Sequence, residues 1–182
     1  MNPIETLVEE HETIVRMLDA LESWSDAVSG DDATERPELT RFMTFIREFV
    51  DPIHHGKEED LLFVTMVDHG FPKEHGPIGM MLHEHGIARG LIQTMHGLAQ
   101  SPAPWTPAER DQAKRAAGSY AELMRQHIDK ENHVLYPMAE ARLPGSAMQD
   151  LAARFERFQA ANATQGAELQ ALGEALIQQY AP

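Results

Sequence analysis

Two histidines and two acidic residues fall within six positions of "HHGKEEDLLF", residues 54–63, directly ahead of an apolar run. A second His-x-x-x-Glu pair stands at His127 and Glu131, and "EH" dipeptides stand at Glu10–His11 and Glu84–His85. An imidazole and a carboxylate one helical turn apart point the same way. Two such pairs on facing helices make the ligand arrangement of a two-metal carboxylate site. The chain has ten histidines and no cysteine. Any metal it holds is therefore bound through nitrogen and oxygen, which suits iron, manganese or zinc.

An internal repeat sharpens the pattern. A shift of 74 carries Pro3 onto Pro77, Glu10 onto Glu84 and His11 onto His85. A shift of 73 carries His54 onto His127, Lys57 onto Lys130, Glu58 onto Glu131 and Phe63 onto Tyr136. The chain reads as two diverged copies of one helical hairpin. His55 and Glu59, by contrast, fall on Ile128 and Asn132. At about 100° per residue, Leu39, Phe42, Ile46, Phe49 and Ile53 form the apolar stripe of the second helix. His54 and Glu58 lie beside that stripe, and the row of His55 and Glu59 lies nearly opposite. In the fourth helix, Ala113, Tyr120, Met124, His127, Glu131, Val134 and Met138 share one stripe. His11 sits among Ile4, Val8, Val15 and Leu18, and His85 among Ile78, Leu82 and Ile92.

The inward candidates are therefore His11, His54, Glu58, His85, His127 and Glu131. One buried histidine is commonly a hydrogen-bonded core residue, and one i,i+4 pair is commonly a surface pair. Six together resist that reading, because unpaired buried carboxylates cost several kcal/mol each and a cation offsets the cost. Glu10 and Glu84 are placed to accept imidazole N–H groups. His55, His69, His75 and His133 are expected to be solvated or to support a ligand from behind, His83 and Glu59 to face water, and His96 to be a satisfied core residue. Arg89 is inward by phase, paired with a glutamate or facing an open coordination position.

The elements that carry these residues are all helical. The 3.6-residue period recurs five times without an alternating strand, over residues 3–28, 37–68, 77–100, 107–142 and a last helix beyond "LPGS". Asn2 and Thr106 are the N-caps, with Pro3 and Pro107 at the first helical positions. Pro52 is expected to kink or open the second helix. The predicted fold is all-α: an up-down antiparallel four-helix bundle over residues 1–142, with an additional C-terminal helix over 143–182. That fifth helix lies across the bundle or serves a homodimer contact. A net charge of −14 disfavours nucleic acid and anionic lipid as partners. No apolar run is long enough to span a membrane, and the acidic N-terminus lacks the layout of a secretory signal. A cytoplasmic location is the expectation.

The segments "EEHETIVRML", "HHGKEEDLLF", "GPIGMMLHEHGIARGL" and "HIDKENHVLYPMAE" together resemble the hemerythrin-like family of His-His-Glu cation-binding domains. The resemblance implies a non-haem centre of two iron ions with glutamate and oxo or hydroxo bridges. It also implies an open position for oxygen, nitric oxide or peroxide, and it assigns the six inward residues as ligands. Two positions depart from the oxygen carriers of the family. Arg89 stands where they have a second third-helix histidine, and the fourth helix has His-x-x-x-Glu rather than His-x-x-x-x-Asp. One imidazole is thus expected to be missing, which argues against reversible oxygen carriage. Three classes remain: a protein that binds or senses a small molecule or holds iron, an enzyme reducing a small oxidant with an external electron donor, and a helical interaction protein with a structural metal. The first is preferred, with no catalytic residue assigned.

Overall fold

The structure, a computed structural model, describes residues 2–30, 32–102 and 104–181, apart from the Asp32 side chain. Helix α1 spans Pro3–Ala27, and the Asn2 side chain accepts the Ile4 N–H at 3.0 Å. Helix α2 begins as Asp32–Phe45. It continues through two π-helical segments, Ile46–His55 and Glu58–Leu62, into Phe63–Asp68. Helix α3 spans Gly76–Ala99. Helix α4 spans Pro107–Lys130 and runs on through a π-helical Glu131–Leu135 into Tyr136–Arg142. Thr106 and Glu109 form the capping box at its start. Helix α5 spans Gly145–Gln179. No helix is long and apolar enough to cross a membrane among the described residues.

The second helix starts earlier than its sequence signals indicate, with Pro37 inside it. The buried Glu35 carboxylate accepts the N–H groups of Ser29 and Gly30 at 2.6 and 2.7 Å, which folds the preceding loop back onto the new helix. Pro52 opens its helix, as its position foretold. Its ring crowds the carbonyl four residues back and it has no N–H to donate, and the wider winding of its neighbours relieves the contact. Winding also becomes wider at Glu58 and Glu131, which are repeat-related positions. Val134 consequently leaves the inward stripe and is 47% exposed.

The four helices α1 to α4 form an antiparallel bundle, and α5 packs on α1 and α2 of the same chain. Arg16 of α1 reaches Glu174 of α5 with two hydrogen bonds of 3.0 and 2.8 Å. The interior is layered. One apolar cluster contains Ile14, Leu18, Phe42, Phe49, Ile92 and Tyr120. The other contains Ile4, Leu7, Leu62, Phe63, Met81 and Tyr136. The candidate ligands lie where the two clusters meet on the bundle helices, as His11 does between Leu7 and Ile14.

Helix α5 packs tightly on α2 at Gly173, where an added Cβ would lie 2.5 Å from Cε2 of the buried Phe45 ring. Gly173→Ala is expected to destabilise the fold by about 1–3 kcal/mol, the usual cost of overpacking. Gly166 of the same helix has no neighbour within 4 Å of such a Cβ. Gly166→Ala is expected to stabilise by roughly 0.5–1 kcal/mol through helix propensity. Chemical denaturation of the two variants checks the contrast. Equal effects would mean that α5 does not dock as described.

Candidate metal centre

The six sequence-predicted residues converge in the middle layer of the bundle, each no more than 1% exposed. Their ring nitrogens and carboxylate oxygens face one another at short range. His85 Nε2 lies 3.0 Å from His127 Nε2 and 3.5 Å from Glu58 Oε2. Glu131 Oε2 lies 3.3 Å from Nε2 of both His11 and His127. His54 Nε2 lies 3.8 Å from Glu58 Oε1.

A seventh residue joins them. His55, expected to be solvated or to support a ligand from behind, is 1% exposed, and its ring stacks on His85 at 3.9 Å between centroids. The reason is the winding of Ile46–His55. A π-helix turns less per residue than an α-helix, so phase counted at the α-helical period places His55 on the wrong side. Two potential ion-binding groups result, each with its ligand atoms within 4.8 Å of one another. One holds His55, Glu58, His85 and His127; the other holds His11, His54, Glu58 and Glu131. α2 thus brings a fifth imidazole into the cluster, where α3 has Arg89 four residues after His85.

Every one of the five rings is held by its other nitrogen. Nδ1–H of His11 donates to Asn132 (2.8 Å), of His54 to Glu10 (2.9 Å), and of His127 to Glu84 (2.9 Å). His85 donates to Glu59 (2.7 Å) and His55 to Asp51 (3.3 Å). That turns each Nε2 toward the centre, where those of His54 and His55 stand bare, the state a metal requires. Lys57 and Lys130 in turn pair with Glu10 and Glu84. Glu10 and Glu84 thus orient imidazoles, each on a neighbouring helix. Glu59, expected to be solvated, does the same for His85. His96 is no core residue: it is partly exposed and accepts from Arg47 Nη1 at 3.0 Å. Arg89 bridges Asp51 and Glu59 with its side chain 43% exposed, pairing with acids and pointing away from the centre. His69, His75, His83 and His133 are exposed.

The electrostatics show what the cluster lacks. Burial, reinforced by the neighbouring Glu131, pushes the Glu58 carboxyl well above its ordinary range. Burial would also raise Glu131, but His127 and His11 beside it hold it well below. Burial would lower His127, but Glu131 and Glu84 carry it up to about 9. Burial keeps His54 and His55 neutral. Among the described residues, His54 Nε2, His55 Nε2, Glu58 Oε2 and Glu131 Oε1 are buried without a hydrogen-bond partner. Such orphaned acceptors each carry a desolvation penalty. Cations satisfy all four at once, so these residues fit a metal centre.

Fold and site together define a helical-bundle protein built to bind cations. The chain belongs to the hemerythrin HHE cation-binding domain family, which matches residues 2–139. An uncharacterised protein of Mycobacterium tuberculosis is 22% identical over 152 residues, covering 84% of this chain and 59% of the relative. The iron-sulfur cluster repair protein YtfE of Salmonella newport is 32% identical over 121 residues, covering 64% of this chain and 53% of the relative. The chain thus spans little more than half the length of these curated relatives. No solved structure matches it significantly.

Metal uptake must displace protons. At pH 7 the His127 imidazole, with its pKa at about 9, is protonated, and its bound form must be neutral. Affinity should therefore rise with pH from 6 to 8, by about tenfold per unit for each proton displaced. Manganese titration calorimetry in buffers of different ionisation heat measures the release. Uptake without proton release at pH 7 would contradict this charge arrangement.

Proposed function

We propose that the chain holds two non-haem iron ions between its hairpins and uses them to bind or react with a small oxidant: oxygen, nitric oxide or peroxide. The observation that carries this reading is the pair of donor sets sharing Glu58, one with three imidazoles and one with two imidazoles and two carboxylates. Imidazole with carboxylate and without thiolate suits iron, with manganese and zinc as substitutes. Two ferrous ions, when bound, supply two electrons and an open coordination position.

The chain's own residues decide which side stays open. His55 adds a donor on the side of His85 and His127. Its repeat partner Ile128 adds none on the side of His11 and His54. A surface cavity of about 510 Å³, walled by Val8, Val15 and Ile128 with Glu12 and Arg16, reaches His11 and Asn132. Small molecules therefore have an approach to the side with fewer imidazoles. The buried Tyr136 hydroxyl also stands there, 3.4 Å from His11 Nε2, and it donates to Glu58 Oε1 at 2.5 Å. The repeat-related Phe63 lies against His85 and has no hydroxyl. An O–H beside the open position favours reduction over reversible binding, because it can pass one of the two protons that a two-electron reduction of oxygen or peroxide consumes, the other coming from solvent.

Iron-reconstituted protein is expected to hold about two ions per chain, as a two-metal bundle site does. Glu58→Ala, which removes a ligand from both groups, should lose the most, and His55→Ala should lose metal as well. Elemental analysis decides this, and less than one ion per wild-type chain would sink the two-iron reading. Stopped-flow mixing of reduced protein with oxygenated buffer should show oxidation without a long-lived oxygen adduct. Tyr136→Phe should slow the decay of any adduct by on the order of a hundredfold, the lower end of what a positioned proton donor contributes. A wild-type spectrum that reverts under vacuum would make the protein a carrier.

A further inference from the structure

The two hairpins repeat each other closely around the centre. His11 with Asn132 matches His85 with Glu59. His54, Glu10 and Lys57 match His127, Glu84 and Lys130. The polar correspondence fails at four positions on one side. Asp51, His55, Glu59 and Arg89 stand where the other hairpin has Met124, Ile128, Asn132 and Val15. These four touch one another. Arg89 Nε donates to Asp51 Oδ1 at 2.8 Å, and Arg89 Nη2 donates to Glu59 Oε1 at 2.7 Å. The same two oxygens accept Nδ1–H of His55 and His85, the stacked pair of rings. One guanidinium thus sets the spacing of two carboxylates, and through them the pose of two imidazoles.

We propose that Arg89 is a positioning residue that makes the two ion positions unequal: the position of His55, His85 and His127 fills first and holds its ion while that of His11 and His54 still exchanges. This rests on the two-metal reading above. Three physical effects act on the first position alone. It has a third imidazole where the other position has Glu131 as a second carboxylate. Its His85 is backed by a carboxylate, where His11 is backed by a neutral amide, and a charged acceptor raises the basicity of the coordinating nitrogen. Its rings are also fixed in advance by the planar fork of Arg89, so less ordering accompanies binding. The Glu10–Lys57 and Glu84–Lys130 pairs back one ring on each side and cannot create the difference. Glu58 belongs to both groups, so the first ion offsets part of the charge that would draw the second.

Cobalt(II) titration of metal-free protein, followed by visible absorbance and calorimetry, tests the proposal. Wild-type protein should take up two ions in separate steps. Arg89→Lys keeps the charge but cannot grip both carboxylates in a fixed geometry. It should weaken the first step by roughly tenfold, the lower end of the range for losing an outer partner, and change the second by less than about twofold. Its thermal stability without metal should match wild type. Asn132→Asp, which gives His11 a charged acceptor of the same shape, should tighten the second step and narrow the gap. Uptake of two ions in a single unresolved step, or an Arg89→Lys variant that weakens both steps alike, would overturn the inference and leave the two-metal reading standing. Saturation at one ion or fewer in wild type would remove both.

Discussion

The bundle is organised around a buried polar layer that must keep five imidazole nitrogens and two carboxylates aimed at one another. An imidazole is aimed only if its other nitrogen is tied down, and here each tie runs to a named acceptor. Four of the five ties cross between helices. Glu10 of α1 holds His54 of α2, and Glu59 of α2 holds His85 of α3. Glu84 of α3 holds His127 of α4, and Asn132 of α4 holds His11 of α1. The ties therefore form a closed ring joining all four helices in turn. The same bonds that preset the ligands also fix the helices' register, so site and fold are one construction. The apolar clusters on either side supply the burial that stabilises the bundle. Their second effect is to deny the layer water, which makes its orphaned acceptors dependent on a cation.

The winding of α2 and α4 follows from the same demand. Both helices widen at the glutamate common to the repeat, Glu58 and Glu131, and α2 is already wide from Ile46 to His55. Extended π-helical winding is rare and tends to mark functional positions. Its use here is geometric. It lets consecutive residues, His54 and His55, both reach the interior, which an α-helix at that register would not allow. Pro52 lies within the widened stretch, where its missing N–H and bulky ring disfavour tighter winding. A local backbone preference and a site requirement thus point the same way.

That winding also explains what the sequence could and could not reveal. The helices, the duplicated hairpin and the meeting of His11, His54, Glu58, His85, His127 and Glu131 were legible, because each follows from a regular period or from repeat-related residues. His55 was not, for two reasons. Its partner in the other copy is Ile128, so the repeat argued against it, and its phase was counted at the α-helical period. The available signal was Pro52, three residues earlier, which warned that the period could change. Glu59 was lost with the same row. The exposure of Val134 is the counterpart error on α4, beyond its own widened turn. The early start of α2 depends on Glu35 accepting two loop N–H groups, a tertiary arrangement without a periodic signature. Arg89 was placed inward by phase but lies at the rim, where two acids hold it.

Duplication alone would have produced two ion positions of equal character. A strictly symmetric pair has no reason to hold one ion more firmly than the other, or to admit a small molecule on one side rather than both. The departures from symmetry supply such reasons, and they are spatially sorted. One side gains His55, a charged acceptor behind His85 and a guanidinium clamp, all of which favour retention. The other side keeps Ile128, Val15 and a neutral Asn132 behind His11, beside a cavity open to solvent, and it gains the Tyr136 hydroxyl. On the two-iron reading, retention and reactivity are therefore divided between the hairpins. The division needs no new element of fold. Five side-chain differences on a common scaffold are enough, because the ring of imidazole ties remains closed on both sides.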